Sequence, residues 1–173
     1  ANGKVLRDGA FKNIWIQPAA GDAGGALGAA LTAHHLFQGQ PRKVEKGRDA
    51  MSGAYLGPAF SQTQIETGLR EAGARFKTLG EAEVITAVAQ ALADGKAVGW
   101  FQGRMEFGPR ALGGRSILGD PRSPDMQKML NLKVKYRESF RPFAPSVLCE
   151  AVPDWFDLDH DIPYMLLVAD VQA

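Results

Sequence analysis

The centre of the predicted fold lies in residues 97–118, which read AVGWFQGRMEFGPRALGGRSIL. The short apolar run at residues 97–101 predicts a buried strand, and residues 116–118 predict a second strand. Between them, residues 102–114 are rich in glycine and arginine and have no apolar periodicity, which is typical of a loop. We therefore expect two strands joined by a long, positively charged loop.

Helices are predicted on both sides of these strands. Ser61 can cap a helix over residues 62–72, and the apolar stripe of residues 81–93 predicts an amphipathic helix. A third helix is predicted over residues 123–132, where a proline stands near its start. Short apolar runs predict further strands at residues 13–16, 146–148 and 164–171. This mixture of helices and strands indicates an α/β (α+β) fold.

Positive charge is concentrated in residues 104–141. This segment holds nine basic and four acidic residues, a net +5, so the remainder is net −4 in a chain of formal charge +1. Many of the bases stand in stretches rich in glycine and proline, so a solvated helix face does not account for them. The near-neutral total argues against a global polyelectrolyte partner and makes any anion site local.

The loop sequence of residues 108–116 has the composition of an anion-binding site. Its glycines permit tight turns and expose backbone N–H groups, which can form a nest for an anion. Arg110 and Arg115 can present their guanidinium groups to one phosphate or carboxylate, and Ser116 adds a hydroxyl donor. The alternative is an ordinary loop whose arginines pair with surface acids.

A second basic motif occupies residues 135–145. Four polar side chains alternate along it, so an extended segment would point all of them to one side. They are Lys135, Arg137, Ser139 and Arg141. Pro142 disfavours helix at the residue before it and supports an extended conformation. We interpret the segment as a pocket wall, and the alternative is an exposed edge strand with protective charges.

A third and less specific motif precedes a helix predicted over residues 23–37. It contains the small and acidic residues Gly21, Asp22, Gly24 and Gly25. A glycine-rich entry to a helix can cradle a nucleotide phosphate, and Asp22 can act as an N-cap or as a metal ligand. Many such sequences serve capping alone, and no cluster of His or Cys accompanies Asp22.

The composition of the whole chain is that of a globular protein. Of 173 residues, 45% are hydrophobic and 23% are charged, which excludes a disordered chain, a collagen and a coiled coil. No apolar run approaches the roughly 20 residues that span a bilayer, so we expect no membrane partner. The single cysteine, Cys149, excludes an internal disulfide and fits a reducing cytosol, so we expect a cytoplasmic protein.

Several long strings of sequence point to one family. They read GRMEFGPRALGGRSIL at residues 103–118, DPR at 120–122, KYRESFRPFAP at 135–145 and QPAAGDAGGALGAA at 17–30. Together they resemble the nodulation-protein-U type O-carbamoyltransferases, the first three in the carboxy-terminal region of that family. The resemblance runs from about residue 3 to residue 169, nearly the whole chain.

The resemblance implies an enzyme of two domains. Residues 1–45 would be the tail of an amino-terminal domain similar to the actin-like ATPases, represented here by a strand and a helix. Residues 46–173 would be a truncated YrdC-like domain with a twisted mixed sheet and flanking helices. That domain would bind carbamoyl phosphate and ATP and form carbamoyl-adenylate, and the amino-terminal domain would host transfer to a hydroxyl-bearing acceptor.

The resemblance also implies roles for individual residues. The catalytic set that binds phosphate and polarises the carbamoyl group would be Arg110, Arg115, Lys135, Arg137 and Arg141. Further substrate contacts would come from Arg104, Ser116 and Ser139. ATP would contact Gly21, Asp22, Gly24 and Gly25. A divalent metal that accompanies ATP would be held in part by Asp22.

Two departures from the family pattern affect the expected activity. The family's histidine metal motif and most of its amino-terminal domain are missing from this sequence. The family also continues beyond the last predicted strand with further motif residues. We therefore expect the chain alone to be catalytically incomplete.

Two other functions are open on sequence alone. The same basic residues can form a nucleic-acid-binding face, whose affinity would fall steeply with salt. The motifs lack exposed aromatic residues interleaved for base stacking, so we rank this function below the enzyme. The other is a purely structural interaction domain in which arginines bridge subunits.

Overall fold

The computed structural model describes residues 2–47, 49–158 and 160–172. Contacts divide the chain into two compact units. The first unit comprises Ala1–Gly57, Met105–Leu112 and Ser146–Ala173, and the second comprises Pro58–Arg104 and Gly113–Pro145. The boundary predicted near residue 45 concerns the domains of a longer enzyme and stays a prediction.

Short helices make up most of the regular structure. In chain order, the α-helices of the described residues are α1 Asn2–Asp8, α2 Asp22–Thr32, α3 Gln62–Glu71, α4 Glu81–Ala93, α5 Met126–Met129 and α6 Val152–Trp155. The strands are β1 Val98–Phe101 and β2 Arg115–Leu118. Helices combined with a small antiparallel sheet confirm the α+β class.

Tighter and wider turns extend or connect these helices. Ala33–Phe37 is a π-helical continuation of α2, and Leu130–Val134 is a π-helical continuation of α5. Ser52–Ala54 and Cys149–Ala151 are short 3₁₀ turns. The helix predicted over residues 23–37 is therefore confirmed, with a change of helical type at Ala33. The helix predicted over residues 123–132 begins three residues later, at Met126, and is π-helical from Leu130.

The second unit contains the elements whose local signals are strongest. Ser61 caps α3: the Gln64 N–H donates to the Ser61 hydroxyl (3.3 Å), and the Ser61 N–H donates to the Gln64 side chain (2.8 Å). The helix α4 has the predicted bounds. β1 and β2 pair antiparallel with Phe101 opposite Arg115. Capping and periodicity therefore predict α3 and α4 correctly.

The sheet is smaller than the sequence predicts. Among the described residues only β1 and β2 form a sheet, and it is antiparallel rather than mixed. The strands predicted at residues 13–16, 146–148 and 164–171 are wrong, apart from one isolated bridge between Phe156 and Val171. Apolar composition favours strands, but a strand also needs a neighbouring backbone with which to pair.

Side chains take the place of such a neighbour along residues 164–171. The Asn2 Nδ2 group donates to the Leu166 carbonyl (2.9 Å), and Arg7 Nη1 donates to the Val168 carbonyl (3.4 Å). Both donors belong to α1. Two backbone carbonyls of this apolar segment, at Leu166 and Val168, are therefore satisfied by side chains of a helix rather than by a β-ladder.

The buried hydrophobic core is small. Its members among the described residues are Ala19, Met51, Ala54, Met126 and Leu130. The buried strand predicted at residues 97–101 is half-exposed instead, because β1 alternates half-buried and exposed residues and Phe101 is 77% exposed. No helix in the described ranges is long and apolar enough to cross a membrane.

Candidate functional site

The predicted site residues are divided between the two units. The second unit contains Arg104, Arg115, Ser116, Lys135, Arg137, Ser139 and Arg141. The first unit contains Gly21, Asp22, Gly24, Gly25 and Arg110. Most of the predicted anion-binding donors therefore belong to the second unit.

A buried asparagine organises the segment that follows α5. Asn131 lies in the π-helical continuation of α5 and is 0% exposed. Its Nδ2 donates to the carbonyls of Ser139 (3.1 Å) and Arg141 (2.8 Å), and its Oδ1 accepts from Arg137 Nε (2.6 Å). A buried amide needs hydrogen-bond partners. Here residues 137–141 supply partners for both of its polar groups.

Gln127 supports the same segment from one helical turn earlier. Its Nε2 donates to the carbonyls of Phe140 (3.3 Å) and Arg141 (3.1 Å). Residues four positions apart share one side of a helix, so Gln127 and Asn131 can bond to the same stretch of backbone. The segment therefore wraps around the end of α5.

The extended conformation predicted for residues 135–141 is wrong. Lys135 has helical backbone angles at the end of the π-helical turn, and Tyr136 has a positive φ of 48°. A turn follows, in which the Arg141 N–H donates to the Glu138 carbonyl (3.3 Å). The side-chain amides of Gln127 and Asn131 donate to carbonyls of this segment that would otherwise bond to a neighbouring strand. Alternation therefore does not place the four predicted donors on one side.

The Arg137 guanidinium is held by a hydrogen bond at its Nε and by contact with an aromatic ring. Its Nε donates to Asn131, and its Cζ lies 4.9 Å from the centroid of the Phe143 ring. The side chain is half-buried. Within the described ranges, no residue accepts a hydrogen bond from its terminal amino groups or forms a salt bridge with them. Such a guanidinium suits bidentate contact with a phosphate or carboxylate.

Two other arginines of this unit pair with acids close in sequence. Arg141 Nε lies 2.7 Å from Glu138 Oε2, and Arg122 Nη2 lies 2.7 Å from Asp120 Oδ2. The pKa of Glu138 is lowered by its own backbone N–H and by Arg141. Hydrogen bonds from Arg122 lower the pKa of Asp120 to about 2. Arg141 therefore has part of its donor capacity already engaged.

Arg115 joins the two ends of the loop between β1 and β2. Its guanidinium donates to the carbonyls of Gly114 (2.7 Å), Gln102 (3.2 Å) and Gly103 (3.3 Å). Its Cζ also lies 5.0 Å from the centroid of the Phe101 ring. One guanidinium thus fixes where β1 ends and where β2 begins. Its predicted phosphate contact stays a prediction.

The other predicted donors of the second unit differ in what they contact. Ser116 Oγ accepts from the Gly113 N–H (3.0 Å), and its hydroxyl proton can still donate. Ser139 contributes its carbonyl to Asn131. Lys135 and Arg104 are exposed.

In the first unit, the segment that carries Arg110 is fixed through its backbone. The Phe107 N–H donates to the Ala54 carbonyl (2.6 Å), and the Gly57 N–H donates to the Met105 carbonyl (2.9 Å). Arg110 itself is exposed. The loop backbone is therefore anchored, while the predicted cation itself is exposed to solvent.

Two of the sequence motifs meet at Ala19. This residue is 0% exposed and packs against Gly24 and Gly108. A Cβ on Gly24 would lie 2.5 Å from the Ala19 carbonyl oxygen, and a Cβ on Gly108 would lie 2.9 Å from the Ala19 Cβ. Glycine at both positions therefore allows the start of α2 and the Arg110 segment to approach closely.

The start of α2 uses two of the predicted phosphate donors internally. Gly21 is the N-cap and Asp22 the first helical residue, so the N-cap role considered for Asp22 is wrong. The Gly24 N–H donates to the Ala19 carbonyl (2.9 Å), and the Gly25 N–H donates to the Gly21 carbonyl (2.8 Å). In the described part of the chain, no three His, Cys, Asp or Glu side chains are grouped to hold a metal ion. The nucleotide and metal roles stay predictions.

Gly108→Ala should destabilise the protein. The new methyl group would meet Ala19 at 2.9 Å and would hold alanine at a φ of 119°. We expect the free energy of unfolding, measured in urea, to fall by about 2–4 kcal/mol. Gly28→Ala is the matched control, because a Cβ there meets nothing within 4 Å, and it should be neutral or stabilise α2 by up to about 1 kcal/mol. Equal stability of both variants would contradict the packing at Ala19.

Sequence reasoning missed two buried polar residues near the predicted loops. Asn131 directly follows the buried Leu130, and this position beside the apolar stripe was a usable signal. Glu106 is 8% exposed, and its Oε1 accepts from the Leu112 N–H (2.6 Å). A lone acid in a glycine-rich loop gives no comparable sign that it is buried.

A tyrosine that sequence reasoning also missed links distant parts of the first unit. The Tyr164 hydroxyl donates to the Asp49 carboxylate and accepts from the Gly53 N–H (3.1 Å). Burial, and then the neighbouring Asp49, raise the pKa of Tyr164. No sequence pattern connects residues so far apart in the chain.

Comparisons with known families match both ends of the chain. Residues 89–173 match the family described as Carbamoyltransferase C-terminus. Residues 1–31 match the family described as Carbamoyltransferase N-terminus. The first of these matches includes both basic motifs, and the second includes Gly21, Asp22, Gly24 and Gly25.

Curated relatives align along nearly all of the chain. The uncharacterized protein sll1178 of Synechocystis sp. is 60% identical, across 99% of this chain and 28% of its own length. Nodulation protein NolNO of Sinorhizobium fredii is 44% identical, across 99% of this chain and 25% of its own. Nodulation protein U of Rhizobium fredii is 36% identical, across 95% of this chain and 26% of its own length. The chain thus spans 25% to 28% of the length of these relatives.

Proposed function

Because the chain belongs to the carbamoyltransferase family, we propose that it is part of an O-carbamoyltransferase and that it binds carbamoyl phosphate and ATP. The proposal includes a YrdC-like fold for the carboxy-terminal domain of the whole enzyme and an actin-like ATPase fold for the amino-terminal domain. It also includes a cytoplasmic location, in keeping with a single cysteine that is exposed. The relatives named as nodulation proteins support the family part of this proposal.

The proposed binding of carbamoyl phosphate rests on the environment of the Arg137 guanidinium. This group is half-buried, fixed by Asn131 and Phe143, and has its terminal amino groups available in the described part of the chain. Carbamoyl phosphate is small and doubly anionic, so a fixed bidentate donor suits its phosphate group. Lys135 and Arg141 flank Arg137 in sequence and would add further positive charge.

The proposed chemistry begins with activation of the carbamoyl group. Carbamoyl phosphate, ATP and one water give carbamoyl-adenylate, phosphate and pyrophosphate. Water cleaves the P–O bond of carbamoyl phosphate, which releases phosphate and leaves carbamate. A carbamate oxygen then bonds to the α-phosphorus of ATP as pyrophosphate leaves. The acceptor hydroxyl then attacks the carbamoyl carbon, and AMP leaves.

The chain's own contribution to this chemistry is electrostatic. Negative charge grows on phosphoryl oxygens during activation, and preorganised cationic donors stabilise it. We propose Arg115, Lys135, Arg137 and Arg141 as these donors, with Arg104, Ser116 and Ser139 as substrate contacts. Arg110 and the Gly21–Gly25 turn of the first unit are proposed contacts for phosphate groups. A single exposed Asp22 does not make a metal site by itself, so we assign no step to a metal.

Calorimetric titration tests this function against its alternative. The full-length protein that contains this chain would be titrated with carbamoyl phosphate, with ATP and with a short oligonucleotide at two salt concentrations. We expect saturable binding of carbamoyl phosphate and of ATP. Binding of the oligonucleotide alone, with an affinity that falls steeply with salt, would contradict the proposal and favour a nucleic-acid-binding module.

A further inference from the structure

The orientation of Arg137 depends on one buried neighbour. Asn131 Oδ1 accepts from Arg137 Nε at 2.6 Å, and the Asn131 carbonyl accepts from the Arg137 N–H at 3.0 Å. Both the side chain and the main chain of Arg137 are therefore attached to the same residue. Because a guanidinium is planar and rigid, fixing its Nε–H also fixes the direction of its two amino groups.

The ring of Phe143 completes this attachment. Arg137 Cζ lies 4.9 Å from the ring centroid, so the guanidinium is bounded by a ring as well as by a hydrogen-bond acceptor. Asn131 is 0% exposed and has its amide engaged with residues 137–141. It is therefore placed to act on a bound anion through Arg137.

Asn131 both supports the wrapped backbone and bonds to Arg137, whereas Gln127 supports the backbone only. It donates to the carbonyls of Phe140 and Arg141, so it supports the wrapped backbone, but it makes no hydrogen bond with Arg137 among the described contacts. A variant of Gln127 loosens the segment alone, whereas a variant of Asn131 also releases the guanidinium. The chain thus supplies a matched control.

We propose that Asn131 is a positioning residue that orients Arg137 for bidentate contact with the phosphate group of carbamoyl phosphate. This inference rests on the proposed function and names a further residue of the same site. Asn131 holds Arg137 in place before the anion arrives, so binding does not have to order a flexible side chain.

A double-mutant cycle in the full-length protein tests the coupling. The readout is the KM for carbamoyl phosphate in ATP–pyrophosphate exchange. Asn131→Ala should raise this KM about tenfold, the effect of losing one hydrogen bond to a charged group. In an Arg137→Ala background the same change should have no further effect, because the group that Asn131 positions is gone. Gln127→Ala should leave the KM within about twofold of the unsubstituted protein.

The outcomes separate this inference from the proposed function. An unchanged KM in Arg137→Ala would overturn both. A raised KM in Arg137→Ala, combined with additive effects of Asn131→Ala and Arg137→Ala, would overturn the positioning role alone. So would equal effects of Asn131→Ala and Gln127→Ala on the KM, because that result indicates a general loosening of the segment.

Chemical rescue of Arg137→Ala tests the guanidinium-binding space between Asn131 and Phe143 without any change at Asn131. Free guanidinium ion should enter between the Asn131 acceptor and the Phe143 ring and lower the raised KM. Methylammonium ion supplies charge without a planar set of donors and should have a much smaller effect. Absence of rescue by guanidinium, or equal rescue by both ions, would overturn the positioning role even if Asn131→Ala does not fold.

Discussion

Arg137→Ala should reduce carbamoyl-phosphate-dependent ATP–pyrophosphate exchange by a factor of about 10²–10³ in the full-length enzyme. The guanidinium is fixed by the neutral, buried amide of Asn131 and by the Phe143 ring, and its terminal amino groups have no acceptor among the described residues. Its loss removes a preorganised bidentate contact where negative charge develops. Arg137→Lys should recover only a small part of the rate, because an ammonium cannot bond to Asn131 and to the anion in the same planar geometry.

A matched control accompanies this measurement. Arg75 is an exposed arginine of the same unit that lies outside both basic motifs. Arg75→Ala removes the same charge and should leave the exchange rate within about twofold. An Arg137→Ala protein that keeps its thermal stability and its exchange rate would show that this guanidinium has no role in activation of the carbamoyl group.

The elements that the sequence predicts well are those whose causes are local. Ser61 and Gln64 cap α3 within one turn, and α4 follows from an apolar stripe that needs no distant partner. β1 and β2 are also recovered, because a glycine- and arginine-rich segment separates two apolar runs. Each of these signals is complete within one short continuous stretch of sequence.

The segment at residues 135–141 shows why the rest was not predicted. Alternation and a following proline favour an extended chain, and both are properties of the segment alone. Its conformation is fixed instead by Asn131 and Gln127, whose side chains project from a helix and donate hydrogen bonds to the carbonyls of the segment. Side-chain partners of this kind leave no periodic trace in a sequence.

The candidate site divides in the same way. The charge pattern identifies the arginines as a group, but it does not say which acceptors they already have. Arg115 is bonded to loop carbonyls and Arg141 forms a salt bridge with Glu138, whereas Arg137 is held by the neutral amide of Asn131 and forms no salt bridge within the described residues. Residue type and spacing thus predict the set of cations, and only the three-dimensional contacts rank its members.

Arg115→Ala and Lys135→Ala should both reduce exchange by about 10²-fold or more in the full-length enzyme, but only the first should destabilise the fold. Arg115 donates to three loop carbonyls, and its loss should lower the free energy of unfolding by about 2 kcal/mol. Lys135 is exposed, and no described residue pairs with its ammonium group, so its removal should change stability by less than about 0.5 kcal/mol.

Urea denaturation and exchange rates on the same preparations distinguish the two roles. If Arg115 acts on the reaction mainly by closing the loop, Arg115→Lys should recover some stability, since an ammonium can still reach one carbonyl, but little exchange. Equal stability of Arg115→Ala and Lys135→Ala would mean that the carbonyl contacts of Arg115 do not stabilise the loop. Undiminished exchange in a folded Lys135→Ala protein would remove Lys135 from the proposed set of phosphate-binding cations.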